Sequence, residues 1–138
     1  MTAKRIEAVL RPASVAVVGA SATPGSIGDV LCRNLREGGF RGPVFYVNPR
    51  HASIGDEPSY PDVRSLPQAV DVAIIATPPP TLPTVLEHCG ERGVRGAIIV
   101  SAGFREGGEE GAACERAMLQ VARRYGLRLL GPNSFGVI

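Results

Sequence analysis

The stretch that most limits what this chain can fold into is Val15-Ala16-Val17-Val18-Gly19-Ala20-Ser21-Ala22-Thr23-Pro24-Gly25-Ser26-Ile27-Gly28. An apolar, largely β-branched run halts at a glycine. Small residues follow, and Gly28 then opens a segment with helical spacing. A strand, a glycine-rich loop and a helix N-terminus in that order make an anion cradle. Backbone N–H groups and the positive end of the helix dipole converge on one spot. The pattern points to a ligand that bears phosphate.

The rest of the chain repeats the alternation. Residues 3–10 fit a short helix ended by Pro12. Short apolar runs at 15–18, 44–47, 72–76, 97–100 and from 128 onward read as strands. Helical spacing is expected over 28–38, which carry Val30, Leu31 and Leu35 at that spacing, and Gly38-Gly39 stops the helix. Residues 48–64 read as polar and turn-rich. Pro67 suits the start of one helical turn over 65–69. Pro78, Pro79 and Pro80 predict an extended exit from the third strand. Helices are expected over 82–92 and 109–125. The predicted order is β-α-β-β-α-β-α-β. Strands that read as continuous apolar runs belong to a sheet covered on both faces. The expected fold is therefore α/β: a Rossmann-like, doubly wound, mainly parallel five-stranded sheet with helices on both faces.

A length of 138 residues fits one domain over 1–138. The net charge of +2 and an aromatic content of 5% argue against nucleic acid as a partner. No apolar run reaches the roughly 18 residues of a membrane span. The first residues lack the apolar core of a signal peptide, so a cytoplasmic location is the default. The three cysteines, Cys32, Cys89 and Cys114, form no C-x-x-C pair and read as small buried hydrophobes. His88 reads as a helix residue without a special role, and His51 as a solvated loop residue.

In an open parallel sheet, ligands bind at the carboxyl ends of the strands near the switch in strand order. That rule nominates the loop 19–28, Asn48-Pro49-Arg50, Thr77-Pro78-Pro79, Ser101-Ala102-Gly103-Phe104 and Gly131-Pro132-Asn133-Ser134. The first loop does not match G-x-G-x-x-G, because Ser21 stands where the second glycine would be. A dinucleotide site also wants an acidic residue at the end of strand two. Here Asn48-Pro49-Arg50 stands there, and arginine suits a ribose phosphate. NAD loses both supports, while NADP or another ribose-phosphate ligand survives. No Gly-Lys-Ser/Thr follows the glycines, so the loop is not a P-loop.

Taken together, these strand-end motifs resemble the CoA-binding domain of NDP-forming acyl-CoA synthetases. Succinyl-CoA synthetase α subunits and ADP-forming acetate–CoA ligases share that domain. Some bacterial protein lysine acetyltransferases also carry it. The resemblance spans nearly the whole chain, with the motifs in the same order and at the same strand ends. It implies a chain that binds CoA or acyl-CoA. Gly25, Ser26, Ile27 and Gly28 would hold the pyrophosphate, in the cradle begun by Gly19, Ala20 and Ser21. Arg50, presented by Asn48 and Pro49, would meet the ribose 3′-phosphate. Thr77 and Pro78 would border the ligand. Ser101, Ala102 and Gly103 would line the pantetheine path, and Gly131-Pro132-Asn133 would approach the thiol end. The first loop is longer than in the succinyl enzymes. Ser134 stands where those enzymes often have cysteine, and here the acetate-type enzymes are the better match.

The family's phosphorylated histidine lies in a second domain, and neither His51 nor His88 matches it. The resemblance implies further synthetase or acetyltransferase domains or subunits as partners, with this chain as the first domain of a longer protein. Two alternatives stay open: a stand-alone module that senses CoA or another nucleotide, and an NADP-binding oxidoreductase domain. No catalytic residue and no metal ligand is assigned.

Overall fold

A computed structural model describes residues 11–100 and 108–130. The first strand, β1 (Val15–Val18), is followed by α1 (Ile27–Glu37) and β2 (Val44–Val47). A short pair comes next, β3 (Ser53–Ile54) and β4 (Glu57–Tyr60). Then follow β5 (Val72–Ile75), α2 (Leu82–Glu91), β6 (Gly96–Ile99), α3 (Gly108–Tyr125) and β7 (Arg128–Leu130). The sheet order is β3-β4-β2-β1-β5-β6-β7. All neighbours are parallel except β3 and β4.

β1 lies at the centre because every one of its residues is buried. The register Val15↔Val44 and Val15↔Val72 fixes both of its edges. Side chains alternate across the strand, so the two faces have separate cores. Ala16, Val18, Ala73, Ile75, Ala97 and Ile99 pack under α2 and α3, against Leu82, Leu86, Cys89 and Met118. Val17 and Tyr46 pack under α1 against Cys32. Fully burying an Ile, Leu or Met side chain stabilises a fold by about 1.5–3 kcal/mol, and Ile75, Leu82, Leu86, Ile99 and Met118 are all in that class.

The doubly wound parallel design matches the sequence reading, but the sheet has seven strands rather than five. The two extra strands lie in the segment read as polar and turn-rich. Gly55 (φ 61°) and Asp56 form a two-residue hairpin between Ile54 and Glu57. Ile54 is the one buried residue of that hairpin's strands, and it anchors the hairpin under α1.

Two local expectations are corrected. The helical turn expected over 65–69 is instead a 3-10 turn at Val63–Ser65, because Asp62 caps it. Its Oδ1 accepts from Ser65 N–H at 2.9 Å and from Ser65 Oγ at 2.8 Å. Leu66 is then extended, as the residue before a proline prefers. The proline run is extended only at Pro78. Pro79–Thr81 is a 3-10 turn leading into α2, where prolines are tolerated because the first N–H groups need no partner. Val30 faces outward, 39% exposed; Gly28, Asp29 and Cys32 are the buried residues of α1. No helix among the described residues is long and apolar enough to cross a membrane. The helix expected over 3–10 lies outside the described residues.

Candidate functional site

The winding order of the sheet reverses between the parallel strands β1 and β5. β1 leads through α1 to β2 on one side, and β5 leads through α2 to β6 on the other. Their carboxyl ends therefore form the switch point. Gly19 leaves β1 at φ 93°, a conformation that favours glycine. A Cβ there would lie 3.2 Å from the Ala76 carbonyl carbon and 3.3 Å from Thr77 Cγ2. The loops after β1 and β5 thus touch. The loop after β2 joins them: Val47 O accepts from Gly19 N–H at 2.9 Å and from Ala20 N–H at 3.3 Å.

Asn48 completes that junction. Its Nδ2 donates to Ala20 O at 2.9 Å, and its Oδ1 accepts from Arg50 N–H at 2.8 Å. Its own N–H bonds Tyr60 O. Pro49 and Arg50 are exposed beyond it, as is His51. The structure gives Asn48 a scaffold role between the two loops.

Within the first loop, most polar groups are paired internally. Ser21 Oγ accepts from Thr23 N–H at 2.9 Å. Ser26 is the N-cap of α1, and its Oγ accepts from Asp29 N–H at 3.1 Å. The Ser26 hydroxyl donates to Thr23 O at 2.8 Å. Gly25, at φ 81°, donates to Asp29 Oδ2 at 3.2 Å. Among the described residues, the N–H groups of Ile27 and Gly28 have no intramolecular partner. Gly28 brings them close to the sheet, because a Cβ there would collide with the Gly19 carbonyl oxygen. Two free donors thus stand at the positive end of a helix of 11 residues, an arrangement that suits an anion.

On the β5 side, Thr77 is half-buried and Pro78 exposed. The Thr81 hydroxyl donates to Pro78 O at 2.6 Å and lies 2.8 Å from Thr77 Oγ1, which fixes the turn. Cys114 on α3 reaches the same turn, with Sγ 3.0 Å from Pro79 O. Burial pushes the Cys114 thiol up, and the neighbouring Glu115 adds to the shift. Cys32 lies under the first loop. Burial raises its pKa, which a hydrogen bond with the Ser21 backbone partly counters. Neither thiol is disposed to ionise.

The loops of Gly19, Ala20, Ser21, Gly25, Ser26, Ile27, Gly28, Asn48, Pro49, Arg50, Thr77 and Pro78 therefore line one edge of the sheet. Ser101, Ala102, Gly103 and Asn133 lie outside the described residues. Sequence reading missed Asp29, although Ser26-x-x-Asp29 is a capping pattern that marks a helix start.

The profile of the CoA binding domain family matches residues 13–138. The chain belongs to this family. As a CoA binding domain it is 45% identical to the ADP-forming acetate–CoA ligase I of Archaeoglobus fulgidus, over 96% of this chain and 19% of that protein. It is 44% identical to the α subunit of the ADP-forming acetate–CoA ligase I of Pyrococcus furiosus, over 96% of this chain and 30% of that subunit. In three dimensions it resembles the dinucleotide-forming acetyl-coenzyme A synthetase 1 of Ca. Korarchaeum cryptofilum in its apo form. That match has a TM-score of 0.85 and 39% identity, over 93% of this chain and 28% of that one. The chain thus spans less than a third of the length of each of these relatives.

This CoA binding domain has the groups that such a ligand needs. A pyrophosphate wants backbone N–H donors and a close backbone, and the unpartnered N–H groups of Ile27 and Gly28 are of that kind. A ribose phosphate wants a guanidinium, and Arg50 stands exposed just after the adjacent strand.

Proposed function

We propose that this chain binds CoA or acyl-CoA along the carboxyl edge of its sheet, as the CoA-binding part of an NDP-forming acyl-CoA synthetase. One observation carries the reading: the free N–H groups of Ile27 and Gly28 stand at the switch point, on the loop tied through Asn48 to Arg50. The pyrophosphate lies on the first turn of α1, and Arg50 meets the 3′-phosphate. The pantetheine arm runs past Thr77 and Pro78 toward Ser101, Ala102 and Gly103, and the thiol ends near Asn133. The relatives' names supply the synthetase context, and their greater length supplies the case for further domains or subunits as partners.

The test is calorimetric titration of the purified chain with CoA, dephospho-CoA, NAD and NADP. CoA is expected to bind most tightly, with dephospho-CoA weaker. Tight NADP binding without a CoA signal overturns the reading. Arg50→Ala is expected to erase the preference for CoA over dephospho-CoA, a loss of roughly tenfold or more for one charge-assisted contact. An unchanged ratio removes Arg50 from the site.

A further inference from the structure

The first turn of α1 also holds a charge that pyrophosphate binding does not call for. Asp29 is 8% exposed. Its Oδ2 takes the Gly25 N–H at 3.2 Å and lies 3.1 Å from Arg33 Nη2. A carboxylate at a helix N-terminus is ordinarily stabilising, because it meets the dipole. Here it does more. Gly25 N–H would otherwise be a third donor beside those of Ile27 and Gly28. The carboxylate is an anion already seated at the cradle, and Arg33, its cationic partner among the described residues, is half-exposed.

We infer that Asp29 is a positioning residue that competes with the ligand's pyrophosphate. It occupies the Gly25 donor and opposes the arriving negative charge, which weakens pyrophosphate ligands and speeds their release. Arg33 sets how much of that charge the ligand meets. The inference rests on the CoA reading above. Like charges at neighbouring positions near a protein surface repel appreciably, and most strongly at low ionic strength.

The experiment titrates the purified chain and its Asp29→Asn variant with CoA, dephospho-CoA and pantetheine at low salt. Asparagine keeps an oxygen acceptor for Gly25 N–H and removes the charge. The variant is expected to bind CoA and dephospho-CoA about five- to tenfold more tightly, an order of magnitude typical of one screened charge. Pantetheine, which has no phosphate, gains nothing, and the gain narrows in high salt. Unchanged or weaker CoA binding by folded Asp29→Asn overturns the inference, as does equal tightening of pantetheine. Arg33→Gln provides a second arm, expected to weaken CoA a fewfold in the native background only. If Asp29→Asn does not fold, an unchanged CoA affinity in Arg33→Gln overturns the inference by itself. A native chain that binds no CoA overturns the CoA reading, and this inference with it.

Discussion

Gly28 sits where α1 presses against the end of β1, and its missing side chain is what allows the approach. A helix-interior Gly→Ala change ordinarily gains up to about 1 kcal/mol in propensity. Here the added Cβ meets the Gly19 carbonyl oxygen and crowds the Ser21 N at 3.0 Å. Backbone atoms cannot rotate away, so overpacking decides the sign. Gly28→Ala is expected to destabilise the chain by about 1–3 kcal/mol and to abolish CoA binding, measured by thermal melting and titration. A variant with native stability and affinity would show that the close approach is dispensable. The strand, loop and helix start around this glycine were legible in the sequence, because the run from Val15 to Gly28 passes from apolar β-branched residues through small ones to helical spacing. The outward face of Val30 was not, because Asp29 takes the buried place beside it through local capping bonds that hydrophobic spacing does not register.

Beside the core that α2 and α3 share, a ring contact and polar bonds fix their geometry. Gly90 leaves room for the ring of Tyr125, and Tyr125 Oη donates to Glu87 Oε1 at 2.6 Å. At the same end of α2, Arg64 of the 3-10 turn grips Glu91 with two bonds of 2.7 and 2.9 Å. That grip holds the Glu91 carboxyl below its ordinary value of 4.5. A lowered folded pKa means that the pair stabilises the fold above the unfolded value and is lost as pH falls through the folded one. Glu91→Gln is therefore expected to melt slightly below the native chain at neutral pH. The gap should close as pH drops below about 4.5 and shrink in high salt, as for any exposed pair. A gap that persists in acid would assign the effect to packing. Strands β1, β2, β5, β6 and β7 were legible because their apolar runs are short and bounded by turn residues. The β3–β4 hairpin was not, because Ile54 alone anchors it and Pro58 argues against a strand. The Gly55-Asp56 pair was the signal that could have found it.

The two cores give the whole molecule a distinctive pattern of thiol protection. Cys89 is fully buried under α2, and burial pushes its pKa up to about 12. Cys32 is 1% exposed under α1. Cys114 is only partly buried. The attacking species is the thiolate, so reactivity follows exposure and ionisation together. At mildly alkaline pH a disulfide reagent is expected to modify Cys114 first, and Cys32 and Cys89 only as the chain unfolds. Prompt loss of more than one thiol would show that a sheet face opens in the native state. The reading of the three cysteines as buried small hydrophobes holds for Cys32 and Cys89 but not fully for Cys114, and the two separate cores follow from strand alternation about β1.

Asn48 binds Ala20 O with one end of its amide and Arg50 N–H with the other. The anion loop and the strand-end arginine are therefore parts of a ruler. If the proposed CoA site is right, backbone geometry would set the interval between the two phosphate positions, leaving only the reach of the Arg50 side chain to vary. In a CoA complex the domain would tell nucleotides apart by where their phosphates sit along the molecule, as well as by how many they bear.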